Sequence, residues 1–448
     1  MKILMASTPA TGHINPLLAI GHVLMAEGHD LRILSGTWLR DRIERSGATF
    51  SAFPGKADFD LRNIHAVAPE LATIPPGFEW LRAAGQRFFV DTVAAQHAGV
   101  EEVLSEFPAD VIIADNTMFG MLPTLLRPRS ERLPVVVCGT SFLHWLRKDG
   151  APHFLGLPPA TTPMELEKYA ALADEYERVT NGPWTQSINQ VLHKLGLSPM
   201  SLPLFDSMVG LADSYMQLTV PSFEFPGERP AAVRFIGAPP IIGKQAPLPP
   251  WAGDLDGSRK VVLVTQGTVA NHNFGLLVAP TLAGLANEPD VLVVATAGGR
   301  PVEAIPGPIP ANARLASYLP FEWLLPKVDV LVTNGGYGSV NQAMSFGIPL
   351  VTAGLTEDKA DVNMRVAWSG VGINLATNEP SAQAIREAVR SMLDTPRWRT
   401  RARAIADEFR AIDTRSEILR TVTEVAAGDK GARRSAPRPR PAQAQVAH

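Results

Sequence analysis

Four short apolar runs in the first half of the chain, at 2–6, 30–35, 109–114 and 133–138, each end in a polar or glycine-containing turn. Four more, at 260–268, 290–295, 328–332 and 349–353, repeat the arrangement. Runs this short and this continuously apolar suit strands covered on both faces, and the helical stretches between them supply the crossovers that parallel strands require. The pattern predicts an α/β chain with two Rossmann-like, doubly wound parallel sheets facing a central cleft. A chain of 448 residues exceeds one ordinary core, so two domains of roughly 200 residues each are expected. Between them, 238–258 is dense in proline and reads as a semi-rigid linker. The expected limits are 1–237 for the first domain, 259–426 for the second and 427–448 for a disordered basic tail. An amphipathic helical pattern over 397–426 can pack back on the first domain.

Composition narrows the partners. Hydrophobic residues make up 46% of the chain and charged residues 19%, enough apolar material for two cores. The formal net charge of −3 implies no basic face for nucleic acid. The apolar start is interrupted too early for a signal peptide, and no later stretch reads as a membrane span, so a cytoplasmic location is expected. The only cysteine, Cys138, sits in an apolar run, which excludes an internal disulfide and a cysteine metal cluster.

In open parallel sheets, ligands bind beyond the carboxyl ends of the strands. The glycine-rich stretch Thr333-Asn334-Gly335-Gly336-Tyr337-Gly338-Ser339 directly follows an apolar run. Its glycines let backbone approach a ligand, Ser339 can cap the next helix, and the free N–H groups there suit a phosphate. From the first half, the loop 7–15 brings His13 before a helix expected to start near Pro16, and Asp115 closes the run 109–114. A neutral imidazole steadied by a carboxylate is a competent general base for a hydroxyl. Taken alone, His13 also suits a turn-stabilising role and Asp115 a helix cap. The acidic pairs Asp58/Asp60 and Asp254/Asp256 close no strand and read as solvated loop residues, so no metal site is assigned.

Together, Thr11-Gly12-His13-Ile14-Asn15-Pro16, Tyr318-Leu319-Pro320, Thr333 to Ser339, Gly347-Ile348-Pro349 and Glu357-Asp358-Lys359 resemble the nucleotide-sugar-dependent glycosyltransferases of GT-B fold. Within these the chain is similar to bacterial family 1 members that glycosylate macrolides, flavonoids and lipids, over about residues 1–425. The resemblance implies a UDP- or dTDP-hexose donor, an apolar hydroxylated small molecule as acceptor, inversion at the anomeric carbon, and no cofactor or metal. It implies that His13 is the base and Asp115 its orienting partner. On the donor side it implies roles for Gly12, Thr268, Tyr318 (nucleobase), Asn334, Gly335, Gly336, Gly338 and Ser339 (diphosphate), Gln342 (ribose), and Glu357, Asp358 and Lys359 (sugar hydroxyls). Two positions depart from the family pattern: Asn334 stands where a histidine is usual, and Lys359 where a glutamine is usual. Phe78, Trp80, Phe88, Phe89, Phe119, Phe142 and Trp145, in irregular inserts, are candidates to wall the acceptor pocket. Two other readings share the fold: a nucleotide-sugar epimerase, which needs no acceptor pocket, and a catalytically silent nucleotide binder that activates a partner enzyme.

Overall fold

A computed structural model describes residues 1–75, 77–241, 247–267 and 271–435. The first domain holds β1 (Lys2–Ala6), β2 (Asp30–Ser35), β3 (Thr49–Ala52), β4 (Val111–Asp115), β5 (Val135–Gly139), β6 (Ser214–Gln217) and β7 (Val233–Phe235). The second holds β8 (Lys260–Thr265), β9 (Val291–Thr296), β10 (Ala313–Ala316), β11 (Val330–Thr333), β12 (Leu350–Thr352) and β13 (Gly372–Asn374). The two sheets run β3-β2-β1-β4-β5-β6-β7 and β10-β9-β8-β11-β12-β13, with every strand pair parallel. Two doubly wound α/β domains are therefore present, as the repeated apolar runs predict. Central strands β4, β5 and β9 are buried along their whole length, which is why they read as uninterrupted apolar runs.

Both sheets reverse strand order at one point, between β1 and β4 and between β8 and β11. There neighbouring strands send their loops to opposite faces and open a crevice at the carboxyl edge. Register brings Ala6 beside Ala114 in one crevice and Thr333 beside Thr265 in the other.

Three expectations change. The first helix spans Thr11–Ala26 and so begins five positions before Pro16. Ala10 is extended, and its carbonyl accepts from the N–H groups of His13 and Ile14 at 3.0 Å each. The proline removes only the bond to the carbonyl of exposed Gly12. The helix after the glycine-rich turn spans Tyr337–Ser345 with Gly336 at its N-cap, so Ser339 lies inside the first turn and is not the cap. The last helix, Thr414–Ser435, continues past 427; residues 436–448 lie outside the described residues. Its Ile418, Val422 and Ala426 are buried in the same core as Leu17, Ile20 and Val23 of the first helix. Arg234 pairs with its Glu424 at 2.8 Å.

Candidate active site

The first crevice builds a polar knot around His13, on the first turn of its helix. Asp115, at the end of β4, is wholly buried, whereas the His13 side chain keeps 20% of its surface exposed. His13 Nδ1 lies 3.2 Å from Asp115 Oδ1, 3.2 Å from Thr117 Oγ1 and 2.9 Å from Thr140 Oγ1. Asp115 is itself held by N–H donors from Thr8 at 2.6 Å and Thr117 at 2.8 Å, and by the Thr117 hydroxyl at 2.7 Å. Because every one of these contacts engages Nδ1, Nε2 is left as the nitrogen available for proton transfer. Burial alone would lower the His13 pKa, but the Asp115 charge and hydrogen bond, helped by Asp358 and Glu357, raise it above the ordinary 6.5. Burial pushes Asp115 the other way; His13 and the Thr117 hydrogen bonds outweigh it and hold the carboxyl below its ordinary value.

The second crevice is glycine-lined. Gly335 has φ +95°, and a Cβ there would sit 1.9 Å from Asn363 Oδ1, so both the turn and its packing require glycine. Gly338 and Gly12 have open space above their Cα atoms. The first N–H groups of helix Tyr337–Ser345 have no intrahelical acceptor and, with the positive dipole end, suit an anion. Asn334 Nδ2 gives one of its two N–H groups to the Gln266 carbonyl at 3.0 Å, tying the loops after β8 and β11 together.

Side chains meet across the cleft. Ser141 donates to Asp358 Oδ2 at 2.5 Å and Gln217 Nε2 to the Tyr337 hydroxyl at 2.5 Å. Lys359 is buried and paired with Glu357. Burial lowers the Lys359 pKa, but Glu357 and Asp358 outweigh it and raise it. Lys359 in turn lowers Glu357, while burial raises Asp358. Glu357 takes a left-handed backbone, φ +57°, unusual without glycine and concentrated at ligand sites. Deeper in, Arg365 pairs with Glu224 of the first domain at 2.7 Å, between the rings of Phe142 and Phe225, whose centroids lie 4.3 Å and 4.2 Å away.

Other expected residues are more scattered. Tyr318 lies past β10 and is 37% exposed. Gln342 faces a groove of about 320 Å³ shared with Ala238, Pro239, Phe346 and Phe409, none of them among the groups around His13. Thr268 lies outside the described residues. Of the seven aromatic candidates, Phe88, Phe119 and Phe142 are buried in packed clusters, because their neighbours are themselves aromatic and close over them. Phe89 and Trp145 pack partly buried against one core and Trp80 against another; Phe78 contacts Tyr176 at 5.5 Å. Asp58, Asp60 and Asp254 are engaged by Thr37, Arg62 and Arg314. Sequence reasoning missed Thr117, Thr140 and Ser141. Thr140 and Ser141 directly follow β5, and the strand-end rule that found Asp115 applies to them equally.

Comparison with known proteins bears on this geometry. Residues 282–425 match the family described as Erythromycin biosynthesis protein CIII-like, C-terminal domain. The chain is 38% identical over 418 residues to 4'-demethylrebeccamycin synthase of Lentzea aerocolonigenes, covering 92% of this chain and 96% of that one. It is 34% identical over 444 residues to UDP-glycosyltransferase 2 of Phaeomoniella chlamydospora, covering 95% and 96% respectively. Among solved structures it resembles glycosyltransferase VinC in complex with dTDP, with TM-score 0.68 and 19% identity over 96% of this chain and 100% of that one. Twin switch points, a histidine–carboxylate pair at one crevice and a glycine-lined helix start at the other, and full-length similarity to sugar transferases agree: the chain belongs to the family 1 nucleotide-sugar-dependent glycosyltransferases of GT-B fold and is a sugar-transferring enzyme.

Proposed function

We propose that the enzyme moves a hexose from a UDP- or dTDP-sugar to a hydroxyl of an apolar small molecule, with inversion and without a metal ion. His13 Nε2 takes the acceptor proton as the hydroxyl oxygen attacks the anomeric carbon. The bond to the diphosphate oxygen breaks on the opposite face, and the nucleoside diphosphate leaves with the electron pair. Asp115, buried against Nδ1, stabilises the imidazolium that forms. Charge growing on the diphosphate meets the N–H groups at the start of helix Tyr337–Ser345, fixed donors that need no reorganisation. Glu357, Asp358 and Lys359 hold sugar hydroxyls, and Tyr318 offers an exposed ring to the nucleobase. The observation that carries the reading is the knot of Asp115, Thr117 and Thr140 on one nitrogen of His13, which leaves the other nitrogen for the cleft. The dTDP in the VinC complex and the UDP donors named for relatives support both nucleotide classes.

The test is incubation with UDP- and dTDP-sugars and phenolic, macrolide and lipid acceptors, following glycoside mass, nucleotide release and anomeric configuration. An inverted glycoside formed equally well with EDTA supports the proposal. Retained configuration, or inhibition by EDTA reversed by a divalent ion, contradicts it; nucleotide binding without turnover would favour the silent binder.

A further inference from the structure

A second polar cluster extends from His13 into the first domain. Thr140, whose hydroxyl touches His13 Nδ1, gives its backbone N–H to Asn116 Oδ1 at 3.0 Å and also bonds that oxygen through its hydroxyl at 2.8 Å. With its oxygen so occupied, Asn116 turns its Nδ2 toward His144 Nδ1, 3.5 Å away. An amide N–H facing a ring nitrogen requires that nitrogen to be unprotonated, so in the neutral ring the proton sits on Nε2. Burial, with the charges of His153, Arg365 and His13, holds His144 well below its ordinary value, which keeps the ring neutral.

The His144 ring is clamped between Phe142 and Phe205, with centroids at 4.0 Å and 4.6 Å. Phe154 approaches it at 5.5 Å and His153 at 5.4 Å. Only 2% of His144 is exposed, yet its Nε2 has no hydrogen-bond partner; the Nδ1 of His153, 8% exposed, has none either. A buried ring nitrogen left unpaired is costly, and two in one aromatic cluster mark a place where a ligand supplies a missing partner. The loop that carries His144 and His153 leaves the carboxyl end of β5, on the same sheet edge as His13.

We propose that His144 orients the acceptor, its Nε2–H donating to a carbonyl oxygen of an aromatic substrate that lodges at the edge of the Phe142, Phe154 and Phe205 cluster. The substrate class is thus a planar hydroxylated compound bearing a ring carbonyl, and the inference rests on the sugar-transfer reading for the acceptor's place beside His13. A site built to give a hydrogen bond discriminates against the analogue lacking the acceptor atom, because its own group is then left unpaired.

The probes are 2-hydroxyfluorenone and 2-hydroxyfluorene, both planar, which differ only at the ring carbonyl. The wild type is expected to favour the ketone by about tenfold or more in kcat/KM. His144→Phe keeps the aromatic stack and should abolish the preference, His144→Gln should restore part of it, and the KM for the nucleotide sugar should stay unchanged in both. Tryptophan-quenching titrations without donor read the same preference in binding. Preference in binding without any glycoside would count against sugar transfer to this class and leave His144 standing. Absence of preference in wild-type binding, or a preference that survives His144→Phe, would overturn the proposal; an equal fall for both compounds in His144→Phe would also overturn it, since that is the mark of a packing role.

Discussion

In the proposed mechanism His13 acts as a base only when neutral, and Asp115 sets the pH at which that form is populated. Because Asp115 raises the His13 pKa above 6.5 against the effect of burial, kcat/KM should rise with pH and level off only above that value. Asp115→Asn removes the attraction and leaves the burial, so the inflection should move to lower pH while the plateau falls by at least about a hundredfold. A pH–rate profile for the two proteins checks the sign; an unmoved inflection would remove Asp115 as the controlling charge. His13 and Asp115 were singled out in the sequence because both lie at the carboxyl ends of strongly apolar strands, Asp115 as the last residue of β4 and His13 in the first turn of the helix after β1. Thr117 and Thr140 were not, because a threonine after a strand gains meaning only when register brings it within 3.2 Å of the same imidazole nitrogen. Asn334 shows the converse: position in a motif does not say that an amide also ties two loops together, as its bond to the Gln266 carbonyl does.

At the scale of elements, the glycine-rich turn separates packing from binding. Gly335→Ala places a methyl against Asn363 in a left-handed conformation, a strain of about 1–3 kcal/mol, so thermal stability and UDP affinity should fall together. Gly338→Ala meets nothing within 4 Å; it should keep the melting temperature and weaken only nucleotide binding, which calorimetry can read. Loss of stability in Gly338→Ala would mean that this residue serves the fold and not the ligand. Strands inside the sheets were legible since burial on both faces forces an apolar run. The edge strands Thr49–Ala52, Val233–Phe235, Ala313–Ala316 and Gly372–Asn374, and the short Ser214–Gln217 beside one of them, were not: three or four residues of mixed polarity carry no period, and sheet neighbours decide their conformation. Pro16 misled for a local reason, since a helix tolerates one missing bond where the freed carbonyl belongs to an exposed glycine.

The whole molecule depends on how two similar domains are held face to face. Glu224 and Arg365 are both almost fully buried, and Glu224 also accepts from the Leu143 N–H at 2.8 Å. Arg365→Met should destabilise the protein by about 3–5 kcal/mol, because it leaves Glu224 buried without its cation. Adding Glu224→Gln should recover part of that loss, measured by chemical denaturation; no recovery would mean that the two residues do not act as a pair. The two-domain plan was legible from the repeated runs, whereas the acceptor side was not. Its inserts obey no strand or helix period, and their aromatics divide between core and cleft only when the chain is folded.

The claim that joins these scales is that His13 takes the acceptor proton. It is tested most directly by measuring glycoside formation by wild type and His13→Ala alongside UDP binding. Transfer reduced at least about a hundredfold, with UDP affinity unchanged, is the expected result. Transfer within a few-fold of wild type would contradict it.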